Sequence, residues 1–393
     1  MNQYSKHILF LPAWYPHKND SMTGLFVKNH AKAISLYHKV TVIHALQDTA
    51  LQKRFEIEQT DKNGFTEILI YYKKNTLPIP LINTILRIFR FRKAIYLGIK
   101  QIENKQQIPD IIHVHILTRY GIMGYLLSKR WKIPFVITEH WSRYLPERNT
   151  YKGLLRKLIT KKIVRKASAV MPVSKILMQA MQYHHLYNSV YKVIPNTVNT
   201  SIFVPFTEDK SSPPFRFIHV SCFDNAIKNI TGIIDAYKLL LKTEHSVELI
   251  LAGDGPDYDM VKKYAAETGL ASKITFTGLL EEKALANVIA KSNSMVIFSN
   301  FETFSVVAAE SLSCSVPVIA TRVGAIPELI NEERGILIEP GNIKLLYNAM
   351  CQMIHNYPHY NLEKIRTFAV QKFSVQVVAK QFDSIYNQIL GNV

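Results

Sequence analysis

The chain has 393 residues, of which 48% are hydrophobic and 11% aromatic, so its composition excludes a disordered protein. Because a single hydrophobic core stops growing at roughly 250–300 residues, two domains are expected. Residues 1–200 hold 31 Lys and Arg against 10 Asp and Glu, a net charge of +21, whereas residues 201–393 hold 17 against 20, a net charge of −3.

Continuous apolar runs in the first half predict parallel β-strands that are covered on both faces. These runs are HILFLP at 7–12, VTVIHAL at 40–46, DIIHVHI at 110–116, PFVITEH at 134–140, AVMPVS at 169–174 and YKVIPN at 191–196. Helical spacing separates several of them, in LFVKNHAKAISLY and in the basic segment from Tyr151 to Lys166. Alternating strands and helices predict a doubly wound α/β domain over residues 1–196.

The second half repeats this alternation. Its predicted strands are FRFIHVSC at 215–222, VELILAG at 247–253, KITFTG at 273–278, SMVIFSN at 294–300, VPVIAT at 316–321 and GILIEP at 335–340. The polar, Pro- and Ser-rich segment PFTEDKSSPP indicates a linker, which we place at 197–214, before a second domain at 215–370. Two such domains are expected to direct their strand ends towards a shared cleft.

The segment FETFSVVAAE at 301–310 is predicted to be a strand-to-helix loop followed by a helix. Ser305 suits the N-cap position, and the free amides at a helix start attract phosphate oxygens. Glu310 lies about one turn into the helix, where its carboxylate can accept hydrogen bonds from two neighbouring hydroxyls, as a ribose offers. Glu302 is predicted to face another part of the same ligand. The alternative is an ordinary loop carboxylate and a solvated helix residue.

Two other patterns are weaker. GDGP at 253–256 lacks the third glycine of a dinucleotide fingerprint, because position 258 is Tyr. His113 and His115 lie two residues apart on a buried strand, and no further ligand set of convincing spacing accompanies them. We therefore interpret these histidines as structural and predict no metal site.

Taken together, the motifs resemble those of the retaining glycosyltransferases of family 4, also called glycosyl transferases group 1. The resemblance rests on E-T-F-S-x-x-x-A-E and, in the family's order, on FLPAWYPHKNDSMTGLFVKNHAKAI, VITEH, VIPNTVNTSIF, IKNITGIIDAY, LAGDGP, ITFTGLL, PVIATRVGAIPELI and FSVQVVAKQFDSIY. These motifs cover nearly the whole chain. The resemblance implies the GT-B fold of two facing Rossmann-like domains with an interdomain cleft, and a C-terminal helix at 371–393 that returns to the first domain.

The resemblance also implies roles for residues of the second domain. Glu310 would bind the ribose hydroxyls of a nucleotide sugar, and Glu302 the hydroxyls of its sugar. The diphosphate and sugar would be held by the backbone amides of Phe304, Ser305 and Val306. Lys228 would stabilise the charge that grows on the leaving nucleoside diphosphate. As an alternative, Lys228 is an ordinary loop lysine.

Further positions follow from the same resemblance. Gly24 would lie at the diphosphate and acceptor side of the cleft, and His140 would contact the donor sugar near the reacting carbon. Gly253 and the Gly278-Leu279 segment would line the nucleotide site without selecting uracil or guanine. The alternatives are a turn glycine before the helix that starts near Leu25, and a hydrogen-bonded core histidine.

The sequence departs from the family pattern at three places. Ser305 stands where the family often has Gly, and Thr23 precedes a single glycine where two are common. The segment SCFDNA, around Cys222, lacks the arginine of the family's G-R-L pattern. One phosphate-binding cation is therefore missing or comes from elsewhere.

Two basic segments account for part of the charge of the first half: YKGLLRKLITKKIVRKA at 151–167 and NTILRIFRFRKAIYLGIK at 83–100. Basic amphipathic helices bind anionic lipid headgroups, so we expect attachment to an anionic membrane surface. Each could also be an ordinary helix with solvated lysines. The charge also suits a polyprenyl-diphosphate-linked or other anionic acceptor. Nucleic acid is not expected as a partner, because no recognisable binding module is present.

The compartment is inferred from the cysteines and the N-terminus. Cys222, Cys314 and Cys351 lie far apart along the chain, without the spacing of a metal or redox motif. The apolar run in the N-terminal segment MNQYSKHILFLP is too short for a signal peptide. No stretch approaches the roughly 20 apolar residues that span a bilayer. We expect a cytoplasmic protein, free or peripheral on the inner face of the cell membrane.

The sequence thus predicts an enzyme that transfers a sugar from a UDP- or GDP-linked donor to a hydroxyl of a glycan or lipid-linked acceptor, with retention of configuration. Cell-surface polysaccharide or glycolipid synthesis is the expected setting, and no cofactor or metal is required. Two alternatives remain: a nucleotide-sugar epimerase of the GT-B type, and a non-catalytic membrane- or polyanion-binding protein.

Overall fold

The computed structural model describes residues 6–62, 64–74, 79–117, 119–208, 210 and 212–391. The first five residues of the N-terminal run and positions 209 and 211 of the predicted linker lie outside the described residues. The chain forms two compact units. The first comprises Met1–Val173, Met178–Ile194 and Val378–Val393, and the second comprises Ser174–Leu177 and Pro195–Val377.

The first unit contains a seven-stranded sheet with the order β3-β4-β2-β1-β5-β6-β7. Its strands are β1 His7–Pro12, β2 Lys39–Asp48, β3 Phe55–Lys62, β4 Phe65–Lys73, β5 Ile111–His115, β6 Phe135–Glu139 and β7 Ala169–Pro172. All neighbours are parallel except β3 and β4, which pair antiparallel. The sequence did not predict β3 and β4. β3 is an exposed edge strand of mostly polar residues, so it lacks the continuous apolar run of a central strand.

The predicted strand YKVIPN at 191–196 is wrong as an extended ladder. The segment forms one isolated bridge, between Tyr191 and Val170. The amides of Lys192 and Ile194 donate to the carbonyls of Val170 and Pro172, and pairing ends there. β7 is only four residues long, and Pro195 has no amide hydrogen to donate, so no ladder continues beyond these bonds.

Helices cover the sheets of both units. In chain order they are α1 Leu25–Ile34, α2 Pro80–Asn104, α3 Arg119–Trp131, α4 Leu154–Lys166, α5 Lys175–Tyr183, α6 Asn225–Lys228, α7 Ile230–Leu240, α8 Tyr258–Glu267, α9 Glu282–Lys291, α10 Val306–Ser313, α11 Ile326–Leu329, α12 Ile343–Asn356, α13 Leu362–Phe373 and α14 Val375–Leu390. Short 3-10 turns occupy Ser142–Tyr144, Pro146–Arg148 and Tyr357–His359. The predicted basic helix starts at Leu154 rather than Tyr151, after Gly153 with a φ of 97°.

The second unit contains a six-stranded parallel sheet with the order β10-β9-β8-β11-β12-β13. Its strands are β8 Phe215–Val220, β9 Val247–Ala252, β10 Ile274–Gly278, β11 Ser294–Ile297, β12 Val318–Thr321 and β13 Gly335–Ile338. All six predicted strands are confirmed. The strand order reverses between β8 and β11, and in doubly wound sheets ligands bind outside the carboxyl ends of the strands at such a switch point. The predicted class, two doubly wound α/β domains, is confirmed.

Each unit has its own apolar core. In the first unit, Ile8 and Phe10 of β1 pack in one cluster with Val378, Phe382 and Tyr386 of α14. In the second, the cluster joins the strands to α7, α8 and α12. Among the residues that the structure describes, no helix is both long and apolar enough to cross a membrane.

Candidate active site

The loops that follow β8, β9 and β10 are joined by backbone hydrogen bonds. The Gly253 amide donates to the Gly278 carbonyl at 2.9 Å, and the Phe223 amide donates to the Asp254 carbonyl at 3.0 Å. Gly253 has a φ of 127°, and a Cβ there would lie 1.9 Å from the Ser221 carbonyl oxygen. Only glycine fits, so the predicted nucleotide loop is held closely against the loop after β8.

Lys228 lies at the end of α6, a four-residue helix just after β8. The Asp224 carboxylate caps this helix by accepting from the Ile227 amide at 3.2 Å. The Asn225 amide donates to the Asp257 carboxylate at 2.8 Å, which ties the helix to the loop after β9. Asp224 and Asp257 were not predicted from the sequence. Asp224 occupies an N-cap position, where Asp is a preferred residue, whereas Asp257 accepts from an amide 32 residues away and has no local signal.

Lys228 and Glu302 form a buried ion pair. The Lys228 Nζ donates to Glu302 Oε1 at 2.6 Å, with only 16% and 9% of the two side chains exposed. Ser299 Oγ donates to the same carboxylate oxygen at 3.0 Å. Burial alone would lower the pKa of Lys228, but the Glu302 carboxylate raises it above the ordinary lysine value. The lysine is therefore a fixed positive charge at the switch point.

The two loops that carry this pair are joined directly. The Asn300 amide donates to the Ile227 carbonyl at 2.7 Å, and its side-chain amide donates to the Ala226 carbonyl at 3.0 Å. β8 and β11 are neighbouring strands, so these bonds close the crevice floor between them. The sequence predicted both Lys228 and Glu302 as site residues but gave no distance between them.

Gly324 is a positioning residue that the sequence patterns did not single out. Its φ is 49°, and a Cβ would lie 1.6 Å from the Glu302 carbonyl oxygen. Any other residue would push the loop after β11 away from the loop after β12. The signal in the sequence is the glycine of TRVGAIPEL, which follows a predicted strand.

The loop before α10 presents free amides. α10 begins at Val306, as predicted, with Ser305 at the N-cap in a left-handed conformation with a φ of 67°. The Ser305 hydroxyl caps nothing, and it is buried without a hydrogen-bond partner in the described part of the chain. A left-handed backbone favours glycine, so it is the physical reason for the glycine that the family resemblance implies here. Within the described ranges, the amides of Phe304, Ser305 and Val306 donate to no other residue.

Glu310 lies in the middle of α10 and is partly exposed. The surrounding protein and the nearby Glu282 carboxylate raise its pKa to about 8. No side-chain hydrogen bond to Glu310 occurs among the described residues. Its carboxyl group is therefore an available acceptor that lacks the counter-charge Glu302 has.

Leu279, which follows the Gly278 of β10, is 53% exposed, and a Cβ at Gly278 would meet no heavy atom within 4 Å. The structure thus groups Lys228, Gly253, Gly278 and Glu302 at one edge of the second sheet, with Leu279 beside them. Phe304 to Val306 and Glu310 follow on the same loop and helix.

The remaining predicted residues, Gly24 and His140, belong to the first unit. Gly24 caps α1 with a φ of 73°, and a Cβ would lie 2.3 Å from the Trp14 carbonyl carbon. Glycine is therefore required at this position because the backbone at Trp14 leaves no room for a side chain. His140 is buried directly after β6.

Glu139 organises the loop that carries His140 and was not predicted. Its buried carboxylate accepts from the amides of His140 and Trp141, both at 2.9 Å, and from the Leu117 amide at 2.8 Å. Burial raises the pKa of Glu139, while these three bonds lower it in part. One carboxylate thus fixes the ends of both β5 and β6.

The histidines of the first unit form a cluster that sequence spacing did not reveal. Ligand-capable nitrogen atoms of His30, His115 and His140 all lie within 4.8 Å of one another. His115 Nδ1 lies 3.2 Å from His140 Nε2. Spacing along the sequence did not show that His30 and His140 accompany His115, and the absence of a metal site stays a prediction. Burial holds the pKa of His115 well below its usual range, so its imidazole is uncharged.

His113 is the other histidine of β5. Its ring contacts the hydroxyls of Tyr386 and Thr138, both at 2.7 Å. These partners satisfy both ring nitrogens, as expected for a structural histidine.

Known proteins match the chain along most of its length. The model of "Glycosyltransferase Family 4" matches residues 26–202, and that of "Glycosyl transferases group 1" matches residues 204–367. N-acetyl-alpha-D-glucosaminyl L-malate synthase of Bacillus anthracis is 26% identical over 299 residues, which cover 72% of this chain and 75% of the relative.

Solved structures show the same fold at low identity. Sucrose-phosphate synthase from Thermosynechococcus elongatus superposes with a TM-score of 0.77 at 20% identity, covering 99% of this chain and 100% of that one. Anabaena HepE in complex with UDP gives a TM-score of 0.72 at 18% identity, with the same coverage. The family models define the class as a glycosyltransferase, and the solved structures share its GT-B fold. Within that class, the chain belongs to the glycosyl transferases of group 1.

Proposed function

We propose that the protein transfers a sugar from a nucleotide sugar to a hydroxyl of a glycan or lipid-linked acceptor, with retention of anomeric configuration. The observation that carries this proposal is the buried pair of Lys228 and Glu302, 2.6 Å apart, beside the free amides of Phe304 to Val306. A fixed cation and unpaired amides at a switch point are suited to a diphosphate. UDP is favoured over GDP because HepE, a structural relative, binds UDP.

In the proposed reaction, the acceptor oxygen attacks the anomeric carbon while the bond from that carbon to the diphosphate oxygen breaks. The leaving phosphate takes the proton of the acceptor hydroxyl on the same face. Lys228 and the α10 amides stabilise the negative charge that develops on this phosphate. The residues thus act by position and charge, and no metal or other cofactor is proposed.

The carboxylates hold the donor. Glu302 is oriented by Lys228 and Ser299, so one of its oxygens is occupied and the other is available to a sugar hydroxyl. Glu310 binds the ribose hydroxyls. The roles of Gly24 near the diphosphate and of His140 at the donor sugar come from the family resemblance alone.

We further propose that the first unit attaches to an anionic membrane surface at the inner face of the cell membrane. At the start of α2, the apolar side chains at 82, 85 and 88 and that of Ile79 just before the helix are 40–53% exposed, and Phe89 is 62% exposed. Arg87, Arg90, Arg92 and Lys93 accompany them, and no Asp or Glu occurs between Glu67 and Glu103. An exposed apolar face whose charged neighbours over residues 79–93 are all cations suits a negatively charged lipid surface.

The donor site is tested by Lys228→Ala and Glu310→Gln. We expect Lys228→Ala to lower turnover of the nucleotide sugar about 10²–10³-fold, because a charge-stabilising donor is lost. We expect Glu310→Gln to raise the KM for the donor about tenfold. Lys238→Ala, an exposed lysine of α7, is the matched control. Unchanged donor turnover in both variants, with circular dichroism spectra like the wild type, would remove the site assignment.

The same assays separate the alternatives. An epimerase would convert a nucleotide sugar without any acceptor, whereas the proposed transferase forms a glycosylated product only when an acceptor is present. A non-catalytic membrane-binding protein predicts that no nucleoside diphosphate raises the Tm.

A further inference from the structure

A cavity of ≈ 530 Å³ lies in the first unit, beside the carboxyl ends of β1, β5 and β6 and against α3 and α4. Its size is within the roughly 300–1,000 Å³ of small-molecule sites. The same strand ends carry Glu139 and His140, so the cavity belongs to the functional edge of this sheet. None of the predicted site residues lines it.

Three arginines line the cavity: Arg119 of α3, Arg143 of the 3-10 turn after β6, and Arg156 of α4. None of them forms an ion pair with a carboxylate among the residues that the structure describes. Glu139, four residues before Arg143, is already bonded to three amides. The cavity therefore carries positive charge that no ion pair with a described carboxylate neutralises.

Arg143 is the most constrained of the three. Its guanidinium lies 3.4 Å from the centroid of the Trp141 ring, and its Nε is buried without a hydrogen-bond partner in the described ranges. Burial lowers the pKa of Arg143, Tyr144 and Glu139 raise it in part, and the like charge of Arg156 lowers it. A rigid planar donor fork next to a second cation suits phosphate oxygens, which guanidinium groups bind in a bidentate manner.

Most of the remaining wall is apolar, with Tyr120 and Thr160 as the hydroxyl-bearing residues. Trp14 and Trp141 lie 5.2 Å apart in an edge-to-face arrangement. Leu155 and Ile159 of α4 also line the cavity. At its edge, Leu154, Leu155 and Leu158 are 76%, 72% and 57% exposed, an unusual exposure for consecutive turns of one helix. The exposed leucines favour a hydrocarbon chain over the polar surface of an anionic glycan.

We propose that this cavity binds the acceptor, and that the acceptor is an amphipathic phosphate: a glycan joined through a phosphate or diphosphate to an isoprenoid-like hydrocarbon chain, with a glycan hydroxyl as the group that receives the sugar. The arginines bind the phosphate oxygens, and the chain leaves over Trp14, Trp141 and the exposed leucines of α4. This inference rests on the proposed function, since it names the class of acceptor for the same reaction.

The test uses farnesyl diphosphate as a soluble probe, with inorganic diphosphate and vesicles of phosphatidylglycerol as separate arms. We expect the full-length protein to bind farnesyl diphosphate at least about tenfold more tightly than inorganic diphosphate, because only the former has an apolar chain. We expect Arg143→Ala and Arg156→Ala each to weaken binding about tenfold or more. Arg165→Ala, on α4 but outside the cavity lining, is the matched control and is expected to change binding less than about twofold.

A diphosphate probe could also reach the donor site, so Lys228→Ala and saturating UDP are included. Neither is expected to change the affinity for farnesyl diphosphate. If either abolishes binding, or if the arginine variants bind the probe like the wild type, the cavity proposal is overturned. If the arginine variants lose binding to the vesicles but still bind farnesyl diphosphate, the proposal is also overturned, because the arginines would then contact the membrane lipid and not a single acceptor molecule.

Failure of this proposal is distinguishable from failure of the proposed function. Donor turnover by Lys228→Ala reports on the second unit, and probe affinity reports on the first. In a transfer assay, the cavity variants are expected to raise the KM for the lipid phosphate acceptor and leave the KM for the nucleotide sugar unchanged. A change in both would contradict the cavity assignment.

Discussion

Positive charge is held in two different ways in this protein. In the second unit, Lys228 is buried and paired with Glu302 at 2.6 Å. In the first unit, Arg119, Arg143 and Arg156 surround an apolar cavity and have no carboxylate partner among the described residues. The sequence shows the same contrast in bulk, with a net charge of +21 for residues 1–200 and −3 for residues 201–393.

The difference follows from what each region is proposed to do. A buried amine without a partner would lose its proton, since desolvation penalises the charged form, so a catalytic lysine in a crevice needs a carboxylate. A guanidinium keeps its proton in almost any setting and can remain unpaired until an anion arrives. A paired lysine therefore provides charge at one fixed point, and unpaired arginines provide attraction for a ligand.

The largest expected effect comes from breaking the pair with Glu302→Gln. This change leaves Lys228 buried without its counter-charge, so we expect the free energy of unfolding to fall by about 3–5 kcal/mol. Without Glu302, burial lowers the pKa of Lys228, and the alkaline limb of the pH–rate profile should move to lower pH. Turnover is measured from about pH 6 to about pH 10, a range chosen to span the lowered lysine pKa, together with urea unfolding.

The control is Glu267→Gln, which breaks the exposed pair with Lys263 at 3.7 Å on α8. Exposed pairs of this type contribute about 0.3–0.5 kcal/mol, so little change is expected. The arginine variants of the cavity should leave the alkaline limb in place, because arginine does not titrate in this range. An unmoved limb in Glu302→Gln would contradict the charge role of Lys228.

A smaller effect is expected from Gly324→Ala. This substitution keeps both charges of the Lys228–Glu302 pair and changes only the position of the loop that carries Glu302. The new Cβ would lie 1.6 Å from the Glu302 carbonyl oxygen, so the loop must move. Gly341→Ala is the matched control, because Gly341 has a φ of 74° but a Cβ added there would meet no heavy atom within 4 Å. Both variants incur the left-handed backbone cost of about 1–2 kcal/mol.

The overlap at Gly324 should cost about 1–3 kcal/mol more, measured by urea unfolding. Donor turnover should fall in Gly324→Ala and stay near the wild-type value in Gly341→Ala. Equal stability and equal turnover in the two variants would show that the contact with Glu302 does not position the pair.

The sequence predicted best where one physical pattern dominates. The six strands of the second sheet are short runs rich in β-branched and apolar residues, and each lies at its predicted place. β3 was missed because it is a polar edge strand, and YKVIPN was misread because apolar residues before a proline also suit an extended loop. The pattern of apolar residues alone does not distinguish a polar edge strand from a loop, or an extended loop from a strand.

The site shows the same limit. Lys228 and Glu302 were found by resemblance to a family, but they are 74 residues apart in the chain, and no periodicity reports their contact. Glu139 was missed because its partners are backbone amides, which have no signature in the side chains of the sequence. The cavity was missed because its arginines come from three separate segments, each of which looks like one more basic stretch.

The smallest expected effect concerns Glu310. Unlike the paired Lys228, this carboxyl group has neither a paired cation nor a hydrogen-bond donor among the described residues, so it is an unpaired acid that compares with the unpaired arginines of the first unit. Its pKa in the folded protein is about 8, above its ordinary value of 4.5, so the protonated form stabilises the fold. This contribution is fully present at low pH and is lost as the pH rises from 4.5 to about 8. Ribose hydroxyls that donate to the carboxylate would favour its ionised form and lower this pKa in the complex.

Binding of a nucleotide sugar should therefore release a proton below about pH 8, and its affinity should increase with pH by at most about tenfold per pH unit. The diphosphate of a nucleotide sugar is esterified at both ends and has no titration near neutral pH, so calorimetry in buffers of different ionisation enthalpy isolates the protein's proton. Glu310→Gln should abolish the release. Glu282→Gln should move its midpoint to lower pH, because the Glu282 carboxylate helps to raise the pKa of Glu310. If proton release persists in Glu310→Gln, another group titrates on donor binding and Glu310 does not hold the ribose as a carboxylate.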